Sequence, residues 1–153
     1  MILKTFFAGV VSASFYLLFQ GRGWNVARAA INGAIGYYIY LLLLDRGSLP
    51  ALFLSSAFMA LFAEAAARVC RAPAILFLSA ALIPIVPGGG MFECALMVLE
   101  GQRYQAMVQL GNVLMEAGAI AIGIIIVSSL LQFIGRLSRS CDKLGKPENN
   151  NTE

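Results

Sequence analysis

The sequence contains no histidine, few charged residues and only three cysteines, and each shortage excludes a class of function. Without histidine, the commonest zinc ligand and the usual proton shuttle near neutral pH are both missing. Cys70, Cys94 and Cys141 are an odd number with no close pair, so neither a disulfide framework nor a thiolate metal site is indicated. The basic residues form no cluster interleaved with aromatic residues, so nucleic acid is not an expected partner. Neither a metal nor a cofactor is expected.

Apolar residues dominate the rest of the composition. Of the 153 residues, 59% are hydrophobic and 12% are charged, and the mean hydropathy is +0.79. Charged residues make up about a quarter of a typical soluble domain, and a soluble protein this apolar would leave large hydrophobic patches exposed. We therefore predict an integral membrane protein with a single transmembrane domain, residues 1–140, and a short disordered cytoplasmic tail, residues 141–153.

Five apolar segments are candidates for helices that span the bilayer, each of which needs roughly 20 mostly apolar residues. They are residues 2–19, 27–44 and 49–67, a stretch from Pro73 to a break at Pro84, and a fifth helix within residues 104–135. The predicted fold is an all-α membrane helix bundle of about five transmembrane helices, the fourth broken at Pro84–Gly90. The first segment could instead be a cleaved signal peptide, but its apolar run continues through residues 15–19, which favours a retained helix.

Basic residues between the segments predict the orientation of the chain. If every segment crosses the bilayer, eight of the eleven Lys and Arg residues fall on one side. These eight are Arg22, Arg28, Arg68, Arg71, Arg136, Arg139, Lys143 and Lys146. Because cytoplasmic loops carry an excess of basic residues, we predict five crossings, an outer N-terminus and a cytoplasmic C-terminus. A fourth segment that entered the membrane without crossing it would break this alternation.

Polar residues in the fifth segment form a stripe along one helix face. Gln105, Gln109, Asn112 and Glu116 are spaced by four, three and four residues, which aligns them on one side of a helix. A carboxylate inside a membrane helix is costly, so it needs a partner or a water-filled path. The stripe could join helices through hydrogen bonds or line a substrate path. Glutamate slightly favours the path, because asparagine or glutamine would join helices at lower cost.

The stretch LIPIVPGGGMFE, residues 82–93, concentrates helix breakers inside an apolar segment. The breakers and the carboxylate after them are Pro84, Pro87, Gly88, Gly89, Gly90 and Glu93. The prolines leave carbonyl groups without amide partners, and the glycines let backbone approach a ligand closely. A helix beginning after the glycines would direct free amides back at the break, where an anion such as a carboxylate could bind. Broken helices mark binding sites in many transporters, but a plain loop between two helices explains the same residues.

The residues around this break resemble a known family. PIVPGGGMFECALMVLEGQ, the later helix GNVLMEAGAIAIGIIIVSSL and the RVCRAP ahead of the break are similar to the small YjjB-type subunits of the threonine/serine exporter family. The resemblance covers nearly the whole chain. It implies a multi-pass protein of the bacterial inner membrane that works with a larger YjjP-type membrane subunit. Its expected substrates are small carboxylate-bearing metabolites, either threonine and serine or dicarboxylates such as succinate. It assigns no catalytic residue, and no enzymatic activity is expected.

Two functions from different classes follow. In the first, the chain is a transporter subunit driven by an ion gradient, since no GK[ST] phosphate motif follows the glycines. Its substrate path would then be formed by Pro84, Pro87, Gly88, Gly89, Gly90, Glu93, Gln109, Asn112 and Glu116. In the second, the chain is a non-transporting scaffold subunit, and the polar stripe docks a partner. Homo-oligomers are compatible with both functions.

Overall fold

The computed structural model describes residues 1–19, 21, 23–70 and 72–144, with side chains described up to residue 134, and this part of the chain is built from helices. The α-helices are α1 (Ile2–Leu18), α2 (Asn25–Leu43), α3 (Ser48–Cys70), α4 (Ala74–Leu82), α5 (Gly88–Leu99) and α6 (Arg103–Leu144). Short 3-10 turns follow α2 at Leu44–Arg46 and α4 at Ile83–Ile85. The all-α prediction is confirmed. Helix α6 continues to Leu144, and the remainder of the predicted tail lies outside the described residues.

Within the described residues, three helices are long and apolar enough to cross a membrane. They cover Asn25–Arg46, Ser48–Cys70 and Arg103–Ile134. A bent pair, α4 with its turn and then α5, meets the same criterion together and would make a fourth span, with an angle of 52° between its two parts. Helix α1 has 17 residues, about 25 Å of helix against a hydrocarbon core of about 30 Å. The predicted count of about five crossings is reached only if the shorter helix α1 also crosses the bilayer.

The core has two clusters, one among α1 to α4 and a second that joins α3 and α4 to Ile120 of α6; the first is built around an aromatic pair. Tyr16 of α1 stacks on Phe77 of α4 with ring centroids 4.9 Å apart, and both side chains are buried. Small side chains surround this pair and let the helices approach closely. They are Ala29, Ala63, Ala66 and Ala80. In membrane bundles, close packing of this kind replaces the hydrophobic effect as the main attraction between helices.

Contacts at both ends of α3 give the direction of α6. Near the start of α3, Ser48 lines the same cavity as Asn112 of α6. Near the end of α3, Nη2 of Arg68 donates a hydrogen bond to the carbonyl of Leu131, at 3.3 Å. Position along α6 therefore increases with position along α3, so the two helices are parallel.

Helix α5 packs against α6 as an antiparallel hairpin and buries none of its own residues. Gly90, near the start of α5, lies against Val113. Further along, Sγ of Cys94 donates to the carbonyl of Ala106 at 3.3 Å. The turn that joins the helices contains Gly101 with φ 76°, a conformation that glycine adopts without strain. This hairpin brings the residues after the break beside the polar stripe of α6.

Candidate functional site

The two prolines end α4 and turn the chain before α5. Pro84 lies in the 3-10 turn after α4, and Pro87 is the N-cap residue of α5. The turn has its own backbone hydrogen bonds. The amide of Val86 donates to the carbonyl of Leu82 at 3.2 Å, and the amide of Gly88 donates to the carbonyl of Val86 at 2.7 Å. The break is therefore a short ordered turn between two helices.

The three glycines form the first turn of α5, so the expectation that a helix would begin only after them is wrong. None of the three has a positive φ, and once the prolines have turned the chain, a helical conformation is open to glycine as it is to other residues. A Cβ added at Gly88 or Gly89 would meet nothing within 4 Å. A Cβ added at Gly90 would lie 2.8 Å from Cγ2 of Val113 and 3.4 Å from Nε2 of Gln109. Only Gly90 is therefore needed for the close contact between α5 and α6.

The polar stripe of α6 faces a cavity between α3 and α6. The cavity has a volume of about 280 Å³. It is lined by Ser48, Leu49, Gln109, Asn112, Val113, Met115 and Glu116. Three of the four stripe residues thus meet in one place with the first residues of α3. The fourth, Gln105, is exposed and does not line the cavity.

Glu93 joins this region from α5. Nε2 of Gln109 donates a hydrogen bond to Oε2 of Glu93 at 3.3 Å, so one stripe residue touches both the cavity and α5. Gly90 lies beside the same glutamine. The other residues of the break, Pro84, Pro87, Gly88 and Gly89, are not among those that line the cavity. The structure therefore brings Gly90 together with Glu93, Gln109, Asn112 and Glu116. The two prolines lie in the turn that precedes α5, and Gly88 and Gly89 contact neither the cavity nor α6 through the position of a Cβ.

The cavity lining contains one carboxyl side chain and no basic side chain. Glu116 is partly buried, and none of the other lining residues is Lys or Arg. On the opposite wall, Ser48 and Leu49 begin α3, where the helix dipole is positive and the amides of these two residues lack partners within the helix. The next residue, Pro50, has no amide hydrogen, and the amide of Ala51 donates to the carbonyl of Gly47 at 3.4 Å. The cavity thus offers a carboxylate on one side and hydrogen-bond donors on the other.

A second group of polar residues, which the sequence did not predict, lies inside the bundle. Asn32 of α2 and Ser12 of α1 are fully buried. Nδ2 of Asn32 donates to the carbonyl of Met59 at 3.3 Å, whereas Oδ1 of Asn32 and Oγ of Ser12 have no partner within the described residues. The sequence did contain a signal, an asparagine within the apolar run AINGAIGYY, because polar residues inside spans commonly bond to neighbouring helices. Ser48 was also missed as a cavity residue, since its sequence context indicates only a helix start.

Comparison with known proteins gave one family match. A family model described as "Threonine/Serine exporter, ThrE" matches residues 4–130 of the 153. The matched region includes every residue that lines the cavity, together with the break and α5. No curated protein and no solved structure matched the chain.

Proposed function

The chain belongs to the threonine/serine exporter family, and we propose that it forms the small subunit of a two-component exporter whose substrate path includes the cavity between α3 and α6. It is a multi-pass membrane protein of a transporter family. In this proposal a larger YjjP-type membrane subunit covers the open side of the cavity and completes the path. Threonine and serine are the proposed substrates, and dicarboxylates such as succinate are the second candidates.

The position of Glu116 is the observation that carries this proposal. Glu116 lies thirteen residues beyond Arg103 (116 − 103), which is about 20 Å along an apolar helix. Glu116 shares its cavity with Ser48, the first residue of α3, so it lies toward the outer end of the bundle. Charged residues within membrane helices are rare, and they usually face a cavity and serve a function. Pockets for drug-sized ligands have volumes of about 300–1,000 Å³. A cavity of about 280 Å³ therefore suits a metabolite smaller than a drug.

The parallel arrangement of α3 and α6 supports the proposed five-crossing topology. If both helices cross the bilayer in the same direction, the chain must cross once more between them, and the bent α4–α5 pair is available for that crossing. A pair that re-entered and left on the same side would make α3 and α6 antiparallel. With the basic segments in the cytoplasm, the N-terminus lies outside, and the cavity at the start of α3 opens toward the outer side of the bacterial inner membrane.

The motive force in this proposal is a proton or ion gradient. The matched region contains no GK[ST] phosphate motif that would indicate ATP as the energy source. Glu116 or Glu93 is the proposed proton carrier, because each carboxyl group lies at or beside the cavity. A carboxyl group that loses a proton on one side of the membrane and regains it on the other would link substrate movement to the gradient.

A scaffold role is the second candidate, and the hydrogen bond between Gln109 and Glu93 favours it. That bond shows one stripe residue joining two helices, which is the structural role that the stripe would have in a subunit that only assembles a complex. The two candidates differ in one respect. A scaffold is needed for assembly of the complex but has no residue whose charge affects the transport step itself.

Deletion of the gene in its native host tests both candidates with the natural partner present. Wild type, Glu116→Gln and the matched control Glu100→Gln are each returned to the deletion strain at equal protein level. Glu100 is an exposed carboxylate in the turn after α5, away from the cavity. Threonine and serine in the medium are expected to fall on deletion, to recover with wild type and Glu100→Gln, and to stay low with Glu116→Gln. Recovery with Glu116→Gln would contradict a role in transport and leave the scaffold role.

A further inference from the structure

We infer that Glu116 binds the ammonium group of the substrate, so that the cavity selects zwitterionic amino acids and rejects dicarboxylates. This inference rests on the proposed function, because it assumes that the cavity binds the exported molecule. It goes further by naming the chemical group that the substrate must carry and the residue that recognises it.

The carboxylate of Glu116 has no cationic partner among the residues that line the cavity. A carboxylate within the apolar part of a membrane helix needs a positive partner or good hydrogen bonds. Among the residues that line the cavity, Glu116 is the one charged side chain. Beyond the lining, Glu93 on α5 accepts a hydrogen bond from Gln109, and Arg46 lies in the turn before α3 but does not line the cavity. No cationic side chain therefore lines the cavity, and a ligand with a positive charge would supply the missing partner of Glu116.

The remaining walls of the cavity carry hydrogen-bonding groups and apolar surface. Asn112 and Ser48 supply an amide and a hydroxyl group on two different helices. Together with the backbone amides of Ser48 and Leu49, they can donate hydrogen bonds to a carboxylate, and they can donate to or accept from a substrate hydroxyl. Val113, Met115 and Leu49 provide apolar surface for a short aliphatic part. These walls would accept one carboxylate from an amino acid or from a dicarboxylate equally well, so they cannot discriminate between the two.

Glu116 is the residue that discriminates between amino acids and dicarboxylates. An amino acid that places its carboxylate near α3 can direct its ammonium group toward Glu116, where a charge-assisted hydrogen bond forms. A dicarboxylate in the same position would direct its second carboxylate toward Glu116. Like charges at close range in a partly buried site repel strongly. The same residue therefore attracts one class of substrate and repels the other.

Export from the deletion strain tests this selectivity. Cells carry wild type, Glu116→Gln, Glu116→Asp or the control Glu100→Gln, and threonine and succinate are measured in the medium. Loss of a charge-assisted hydrogen bond costs about tenfold to a hundredfold in binding, so Glu116→Gln is expected to lower threonine export at least tenfold without lowering succinate export. Glu116→Asp keeps the charge and is expected to retain part of the threonine export, and Glu100→Gln should leave both unchanged.

Binding to membranes from the same cells separates this inference from the proposed function. The probes are threonine methyl ester, which has the ammonium group but no carboxylate, and 3-hydroxybutyrate, which has a carboxylate but no ammonium group. The ester is expected to compete with labelled threonine on wild-type membranes, and 3-hydroxybutyrate is expected to compete at least tenfold less well. Stronger competition by 3-hydroxybutyrate, or equal threonine binding by Glu116→Gln, would overturn the inference while leaving an exporter function intact. A wild-type strain that neither exports nor binds threonine would contradict the proposed function itself.

Discussion

Adding one methyl group to each of the three consecutive glycines in turn separates a packing role from a ligand-binding role. An added Cβ at Gly90 would lie 2.8 Å from Cγ2 of Val113, which is closer than carbon atoms pack in proteins. The same addition at Gly88 or Gly89 meets nothing within 4 Å. We expect Gly90→Ala to move α5 away from α6, and expect the other two alanine variants to leave the hairpin in place.

The expected magnitudes come from two opposing effects. Overpacking a tight contact costs about 1–3 kcal/mol, and replacing glycine by alanine in a helix stabilises it by up to about 1 kcal/mol. Gly90→Ala should therefore be destabilising by about 0–2 kcal/mol, whereas Gly88→Ala and Gly89→Ala should be neutral or stabilising by up to about 1 kcal/mol. The difference between the variants is about 1–3 kcal/mol, which corresponds to roughly 3–10 °C in melting temperature for a chain of this length.

Thermal unfolding of the purified protein in detergent measures this difference, and export by the deletion strain measures its effect on function. Val113→Ala removes the methyl group that the new side chain would meet, so the Gly90→Ala/Val113→Ala double variant should regain part of the lost stability. If Gly88→Ala or Gly89→Ala lowered stability or export as much as Gly90→Ala, packing against α6 would not explain the glycines. Close approach of backbone to a ligand would then be the better explanation.

Three further predictions follow from contacts elsewhere in the structure. Gly123→Ala would place a methyl group 2.7 Å from a backbone carbonyl of α3 and should lower the melting temperature, whereas Gly118→Ala, with open space beside it, should not. Glu93→Gln keeps a group that can accept the Gln109 hydrogen bond, so export should fall less than with Glu116→Gln. Phe77→Ala removes a buried ring stacked on α1 and should destabilise the purified protein by about 3–5 kcal/mol, as measured by thermal or denaturant unfolding.

The features that the sequence predicted correctly depend on local pattern alone. Long apolar runs are enough to identify an all-α membrane protein, because only the length and hydropathy of each run matter. The polar stripe was also predictable, since helical periodicity places Gln109, Asn112 and Glu116 on one face whatever the rest of the fold. That periodicity held over the part of α6 that lines the cavity.

The features that the sequence did not predict depend on how helices pack. Nothing in the sequence near Ser48 indicates that it lines a cavity with Glu116, because that arrangement requires α3 and α6 to lie parallel and in register. The start of α5 at Gly88 was mispredicted, because glycine clusters usually interrupt helices. The reason for a glycine within this helix is the close packing of Gly90 on α6, which the sequence alone does not show. Asn32 was overlooked because a single polar residue gives no periodic pattern.

Protection of a cavity residue by substrate tests the central claim most directly. Asn112 lines the cavity and is exposed, so Asn112→Cys, in a chain whose three native cysteines are replaced by serine, should react with a membrane-impermeant thiol reagent. Glu100→Cys in the same background is the control outside the cavity. We expect threonine to slow labelling of Asn112→Cys in whole cells at least severalfold, without slowing labelling of Glu100→Cys. Labelling of Asn112→Cys at the same rate with and without saturating threonine would contradict the claim that this cavity binds the exported amino acid.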